Sequence, residues 1–187
     1  GKLERREPLL LTRPIMPHAP NRANSKPFAP TAFAVAVPSI ESATVFCRLR
    51  GNPYVELVHW VHQILQLADS DLHRIVRAFD LNPARLAKDV TEALDRLPRG
   101  ATSISDLSSH VEESVERGWV YGTLLFGDSC VRTGHLVVGI LKTPGLKNVL
   151  GQMSGEFQKV KVDRLTDDWS SIVAGSPVST GKRARGR

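Results

Sequence analysis

The chain has 187 residues, enough for one domain of ordinary size with tails. Its hydrophobic fraction of 41% and charged fraction of 24% are typical of a soluble globular protein, and no apolar run approaches the length of a membrane span. The formal net charge of +6 is concentrated at the ends: residues 1–30 and 175–187 each carry +4, which leaves −2 on residues 31–174. This distribution disfavours a nucleic-acid-binding face on the central part of the chain.

Prolines mark off the beginning of the chain. Seven of the twelve lie in the first 39 residues, where each removes a backbone donor and disfavours helix in the residue before it. Residues 1–39 are therefore predicted to be irregular, and residues 175–187 to form a polar, basic tail. Between these ends the pattern is helical, beginning with Ile40 to Arg50 and a turn at residues 51–53.

The remaining elements of the first half follow from apolar periodicity and capping residues. Apolar residues at helical spacing predict a helix over 55–68. Ser70 is the predicted N-cap of a short helix that ends near Phe79. Asn82, followed by Pro83 at the first helical position, is predicted to begin a helix that ends before residues 98–100.

The second half gives a similar series of helices. Ser105 or Asp106 is predicted to cap a long helix that reaches Leu124, and Thr133 to cap a helix that ends at a break at residues 144–145. A short helix over 146–153 and a last one over 162–173 follow from their apolar spacing. No set of paired strands is predicted.

The two halves of the helical region repeat one another. Residues 55–65 and 131–141 align at an offset of 76 with five identities in eleven positions, among them His59 and His135. The next helices align at an offset of 74, as expected if one loop of the second copy is two residues shorter. One copy cannot bury its apolar stripe alone, whereas two packed copies can. The sequence therefore predicts an all-α fold of two pseudo-repeated helical bundles, residues 40–100 and 101–174.

This arrangement resembles the double Clp N-terminal repeat, the adaptor and substrate-binding domain of Clp/Hsp100 unfoldases. Two longer runs narrow the resemblance: ESATVFCRLRGNPYVELVHW at 41–60 and KVDRLTDDW at 161–169. Both are similar to ClpV-type proteins, the AAA+ ATPases of bacterial type VI secretion. The resemblance covers about residues 40–177.

The resemblance implies a partner. In that family the domain binds a short helix of the small sheath protein, a TssC/VipB-like subunit, so that the hexameric motor can take apart contracted sheaths. This is helix-in-groove binding, and it implies a groove that involves the first helix, here Ala43, Phe46 and Leu49. It also implies that hexamers form only in the full-length ATPase, and that this chain, without the ATPase modules, is not an enzyme.

Both ends depart from the family pattern. Gly1-Lys2-Leu3 matches the beginning of family members, but a proline-rich stretch separates it from Ser39, and the chain ends in an arginine-rich run. We interpret one or both ends as sequence read in a shifted frame of a GC-rich gene, of which such compositions are typical, or as sequence added to the natural protein. Sequencing the encoding DNA tests this. A non-functional fragment of a truncated ClpV gene is an alternative.

No catalytic, cofactor or metal site is predicted. The run from Gly175 to Lys182 lacks P-loop spacing, and Arg183 stands where a Ser or Thr should bind magnesium. His59 lacks further ligands at zinc-site spacing. We expect His59 and His135 to be equivalent structural positions, with each imidazole bonded to a loop carbonyl or a helix terminus.

Two further expectations concern partners and environment. Nucleic-acid binding through the basic tails is a second interpretation, and it predicts a steep salt dependence that deletion of residues 178–187 abolishes. Because the central segment is net negative, no nucleic-acid partner is expected, and because no apolar run is long enough to span a bilayer, no membrane partner is expected. Cys47 and Cys130 are expected to be reduced, buried thiols of a cytoplasmic protein, and Trp60, Trp119 and Trp169 are expected to lie in the core.

Overall fold

The computed structural model describes residues 36–128 and 130–177. The basic run after Pro177 and the first 35 residues of the predicted irregular segment lie outside the described residues. The first helix, α1, spans Ala36–Arg50, so it begins four residues before the position that the sequence predicts. Pro38 is accommodated because the first turn of a helix contains N–H groups that have no intrahelical partner.

The first repeat consists of α1 and three further helices. After α1 come a two-residue strand β1 and the helices α2, α3 and α4, whose bounds are Tyr54–Val55, Leu57–Leu65, Asp71–Ala78 and Pro83–Asp95. Two predicted caps are confirmed. The Ser70 hydroxyl accepts the His73 N–H at 3.3 Å, and the Asn82 side chain accepts the Arg85 N–H at 3.1 Å.

The second repeat begins with β2 and the long helix α5. The bounds of β2 and α5 to α9 are Asp106–Leu107, Ser109–Phe126, Thr133–Lys142, Pro144–Met153, Val162–Asp167 and Trp169–Ile172, with a 3-10 helix at Gly155–Lys159 between α7 and α8. The single helix predicted over 162–173 is therefore two short ones.

Two predicted caps of the second repeat are wrong. The N-cap of α5 is Ser108 rather than Ser105 or Asp106, because residues 106–107 pair in parallel with Tyr54 and Val55. This short pairing was not predicted either. The N-cap of α6 is Arg132, and Thr133 is its first helical residue.

The internal duplication is visible in the backbone. Helices α1 and α5 end at Arg50 and Phe126, 76 residues apart. Each is followed by a glycine in the left-handed region, Gly51 at φ 69° and Gly127 at φ 62°, a conformation that costs a residue with a Cβ atom more than it costs glycine. Over residues 36–128 and 130–177 the fold is all-α apart from the two-residue pairing, and it consists of two pseudo-repeated bundles.

The two repeats share one hydrophobic core. Buried apolar residues of α1 to α4 and of α5 to α9 form a single cluster, and each fully buried Leu, Ile or Val contributes about 1.5–3 kcal/mol. Trp60 and Trp169 belong to it, at 2% and 7% exposure. Trp119 was expected in the core as well, but this is wrong, since 43% of it is exposed.

A buried carboxylate joins three parts of the chain. Asp71, at the start of α3, accepts hydrogen bonds from Nε and Nη2 of Arg132 at 3.1 and 2.7 Å. It also accepts bonds from the Gly134 N–H at 3.1 Å and the Ser176 hydroxyl at 2.6 Å. Beside it, the Arg74 guanidinium donates to the carbonyls of residues 174 and 175. These bonds fix the end of the second repeat to the first.

Within the described residues, no helix is both long enough and apolar enough to span a bilayer. No group of three or more His, Cys, Asp or Glu residues in the same part of the chain is arranged to hold a metal ion. Cys47 is a buried free thiol, whereas Cys130 is free and only partly buried.

Candidate functional site

Helix α1 is held against α2 by polar bonds as well as by apolar packing. The Trp60 indole N–H donates to the Ser39 hydroxyl at 2.9 Å, and the Ser42 hydroxyl donates to the Gln63 side chain at 2.7 Å. After these two serines, α1 packs the small side chains of Ala43 and Cys47 onto the core. The rotation of α1 is therefore set, and so are the residues on its outer face.

The three residues predicted to line a groove lie on different faces of α1. Ala43 is fully buried, Phe46 is half-buried and Leu49 is 81% exposed. The Phe46 ring stacks on the His62 imidazole, with centroids 4.4 Å apart and planes 7° apart. The Arg50 guanidinium lies 5.7 Å from the Phe46 centroid. In this conformation, a partner on the surface can contact Leu49 and the exposed part of the half-buried Phe46 but not Ala43.

The outer face of α1 carries an apolar pair. Val45 and Leu49 are 55% and 81% exposed, and because they are four residues apart they lie one turn from each other on the same side of the helix. Sequence reasoning named Leu49 but missed Val45, although the i, i+4 spacing links the two. Together with Phe46 they give α1 an accessible apolar surface.

His59 and His135 have the same hydrogen-bonding geometry in the two repeats. Nδ1 of His59 accepts the backbone N–H of the N-cap residue Glu56 at 2.9 Å, and Nδ1 of His135 accepts that of Arg132 at 3.1 Å. Each histidine is the third helical residue, so it reaches back to the N-cap as Glu does in a capping box. The Nε2 atom of each ring is 2.9 Å from a side-chain oxygen seven residues earlier.

Those acceptors, Asn52 and Asp128, were missed by sequence reasoning. They are themselves 76 residues apart, so extending the internal alignment three residues back would have included them. An acceptor role for Nδ1 and a donor role for Nε2 fit a neutral ring protonated on Nε2. The assignment of both histidines as structural positions stays a prediction, which their titration tests.

Burial keeps both rings neutral. Desolvation, reinforced by the Arg50 charge, lowers the pKa of His59 to about 4. Burial also lowers the pKa of His135, although the adjacent Asp128 carboxylate opposes the shift. Since both rings are fully buried, protonating either one places a charge in the core and removes the Nδ1 acceptor from its backbone N–H.

We expect the domain to lose stability as the pH falls from 6.5 towards 4. Between these pH values His59 is protonated in the unfolded chain but not in the native state, and this favours unfolding. The contribution of neutral His59 to the free energy of unfolding is therefore complete above pH 6.5 and is lost as the pH falls towards the native pKa of about 4. His59 alone lowers the free energy of unfolding by roughly 2 kcal/mol between pH 6.5 and 5. Urea unfolding at pH 6.5 and at pH 5 measures the loss of stability, and a titration of the NMR shifts of the His59 ring shows whether this residue causes it. A ring that titrates near 6.5 in the native state contradicts this prediction.

Comparison with known proteins places the geometry in a family. No protein-family model matches the chain. AAA+ ATPase ClpV1 of Pseudomonas aeruginosa is 69% identical over 144 residues, which are 77% of this chain and 16% of that protein. A solved structure from work on the ATPase ClpV, the TssB-TssC sheath and the accessory HsiE protein is 67% identical, with a TM-score of 0.76, over 79% of this chain and 91% of that chain. The chain belongs to the ClpV family.

This ClpV chain corresponds to the N-terminal domain of a type VI secretion ATPase, and it spans 16% of the length of the curated relative. A complex of a ClpV N-domain with a VipB peptide has the same fold, with a TM-score of 0.63 at 18% identity over 75% of this chain and 85% of that one. The sequence-based family assignment and the all-α duplicated fold are thus confirmed.

Proposed function

We propose that this ClpV domain binds a helix of the type VI secretion sheath on the outer face of α1 and so recruits contracted sheath to the full ATPase. The observation that carries the proposal is the exposed pair Val45 and Leu49 on a helix whose orientation is fixed by hydrogen bonds. The VipB peptide bound to an N-domain of the same fold supports it.

The chemistry of the α1 face suits an amphipathic helix. Two aliphatic side chains one turn apart, with the half-buried Phe46 next to Val45 in the chain, match apolar anchors spaced at i and i+3 or i+4 on a partner. The flanking charges Glu41 and Arg48 are exposed and form a polar rim of both signs. Such binding requires no catalytic residue in this domain, and we place it in the cytoplasm, with hexamers formed by the full-length ATPase.

Substitution of Leu49 by aspartate is expected to weaken sheath-peptide binding at least about tenfold, a loss of about 1.4 kcal/mol or more, because a charge then lies where an apolar anchor packs. Calorimetric titration with a peptide of the small sheath subunit measures it, and we expect a micromolar affinity for the unsubstituted chain.

Leu124→Asp is the matched control, since Leu124 is similarly exposed, at 75%, but lies on α5. It should leave sheath-peptide affinity unchanged. Equal weakening by both substitutions would show that α1 is not the site. No binding by the unsubstituted chain would reject the proposal and favour the non-functional-fragment alternative.

The nucleic-acid interpretation depends on basic residues such as Lys182 and Arg183, which lie outside the described residues. No feature of the described residues favours it. A titration with duplex DNA at two salt concentrations, with and without residues 178–187, distinguishes it from sheath binding.

A further inference from the structure

Arg50, the last residue of α1, has more hydrogen-bond donors than partners. A guanidinium carries five N–H groups, and the one hydrogen bond that this guanidinium forms with a described residue runs from Nη2 to Oδ1 of Asp95, at 2.9 Å. The Nε atom is buried and has no acceptor within the same part of the chain. A buried donor without an acceptor is unfavourable and uncommon in folded proteins, so it points to a group that completes the site.

The pair that Arg50 forms with Asp95 is weak. The Asp95 side chain is 58% exposed, and its Oδ1 atom also accepts a hydrogen bond from Nη2 of Arg99 at 3.0 Å. An exposed ion pair contributes little to stability, and a single carboxylate shared by two guanidinium groups leaves one positive charge uncompensated. Arg50 can therefore exchange this acceptor for another at little cost.

The uncompensated charge lies beside the apolar part of the α1 face. At about 100° per residue, Leu49 and Arg50 lie about 60° and 40° from Phe46, on its two sides. The Arg50 guanidinium lies 5.7 Å from the centroid of the Phe46 ring, and the side chain is 19% exposed. Burial, and after it the Arg50 charge, lowers the pKa of His62, which stacks on Phe46. A helix that packs on Leu49 and Phe46 therefore meets a guanidinium at the edge of the contact.

We propose that Arg50 determines which helices the α1 face accepts, by exchanging Asp95 for an aspartate or glutamate of the sheath helix, a role that rests on the sheath binding proposed above. The partner carboxylate lies next to the apolar residue that packs on Leu49. Arginine prefers to bind a carboxylate through two N–H groups at once. When the side chain turns from Asp95 towards the partner, such a pair can include Nε and so supply the acceptor that this atom lacks.

The chemistry of a bound helix selects a carboxylate as the acceptor. The backbone carbonyls of a helix bond within the helix, except for the last four, so the acceptors along its length are side chains. Of these, only Asp and Glu also neutralise the charge of Arg50. Nucleic acid offers phosphate groups but no row of apolar anchors for Val45 and Leu49. The partner is therefore an amphipathic helix with an acidic residue beside its apolar stripe.

The test is a calorimetric titration of the full chain with a helical peptide of the small sheath subunit, and with peptides in which each Asp or Glu is replaced in turn by Asn or Gln. We expect Arg50→Gln to weaken binding about tenfold. One of the amide peptides should bind the unsubstituted chain about tenfold more weakly. That peptide should bind the Arg50→Gln variant no more weakly than the original peptide does, because both changes remove the same pair. Circular dichroism and urea unfolding check that the variant folds.

Asp95→Asn gives a result that a purely structural ion pair does not. If Asp95 only holds Arg50 in place, its loss weakens binding. If Asp95 competes with the sheath carboxylate, its loss strengthens binding, by about two- to threefold, and has no effect in the Arg50→Gln background. Arg96→Gln is the matched control: Arg96 is exposed and adjacent to Asp95, and its substitution changes the net charge by the same amount as Arg50→Gln. It should change the affinity by less than about twofold.

Failure of the Arg50 role and failure of sheath binding give different results. If Leu49→Asp weakens binding but Arg50→Gln changes it by less than about twofold, the role of Arg50 is wrong and sheath binding on α1 stands. The role is also wrong if Arg50→Gln is additive with every amide peptide, which indicates a contact to a backbone carbonyl, or if Asp95→Asn weakens binding. Absence of binding by the unsubstituted chain overturns both proposals.

Discussion

Replacing Asp71 by alanine is expected to lower the free energy of unfolding by about 3–5 kcal/mol. Asp71 is fully buried and accepts four hydrogen bonds, two of them from the Arg132 guanidinium. The substitution leaves Arg132, which is 8% exposed, with its charge uncompensated in the interior. It also removes the acceptor of the Gly134 N–H and the Ser176 hydroxyl. Urea unfolding followed by circular dichroism measures the loss.

Asp69→Ala is the matched control for Asp71. Asp69 also pairs with arginines, Arg74 and Arg77, but its side chain is 27% exposed, so the expected loss is about 1 kcal/mol or less. The double substitution Asp71→Leu with Arg132→Met removes both charges and should recover much of the stability lost in Asp71→Ala. Equal losses in Asp69→Ala and Asp71→Ala would contradict a special role for the buried pair.

Gly139→Ala is expected to destabilise the domain by about 2–3 kcal/mol, although alanine is the better helix former. A Cβ atom at this position would lie 2.8 Å from the carbonyl carbon of Arg117 and 2.8 Å from the backbone nitrogen of Gly118. These are backbone atoms of α5, so the whole helix has to move away from α6. The same unfolding measurement gives the magnitude.

Gly151, in α7, provides the opposite case for the same substitution. Apart from its chain neighbours and the backbone of its own helix, no heavy atom lies within 4 Å of a Cβ atom added there, so Gly151→Ala should stabilise by about 0.5–1 kcal/mol through helix propensity alone. If the two alanine substitutions change the free energy of unfolding in opposite directions, the effect of close packing at position 139 is distinguished from the effect of helix propensity at position 151. A stabilising Gly139→Ala would show that α5 can shift at little cost.

Local signals in the sequence predicted much of the fold. The caps Ser70 and Asn82 depend only on the residues that follow them, and both are found where predicted. The offset of 76 linked His59 to His135, and the structure gives both rings the same bonds. Identical residues at equivalent positions reflect similar surroundings in the two repeats. The repeat is also one of the features on which the resemblance to the family rests.

Long-range contacts account for what was missed. The start of α5 is displaced to Ser108 because Ser105 and Ser108 donate their N–H groups to the carbonyls of residues 53 and 55, a pairing that no local pattern indicates. Trp119 fits an apolar stripe, yet the small residues of α5 fit α6 more closely and turn the tryptophan outward. Of the three groove residues, only Leu49 is largely accessible, since the side of α1 that faces α2 cannot be inferred from periodicity alone.

The bonds between α3 and residues 174–176 have a mechanical consequence. The C-terminal end of the described chain is bonded to Arg74 and Asp71, which lie on α3 of the first repeat, and not only to the helix that precedes it. Tension applied at residue 177 is therefore resisted by a buried carboxylate that also binds Arg132. The two repeats share the strain, so the domain resists being peeled apart one helix at a time from that end.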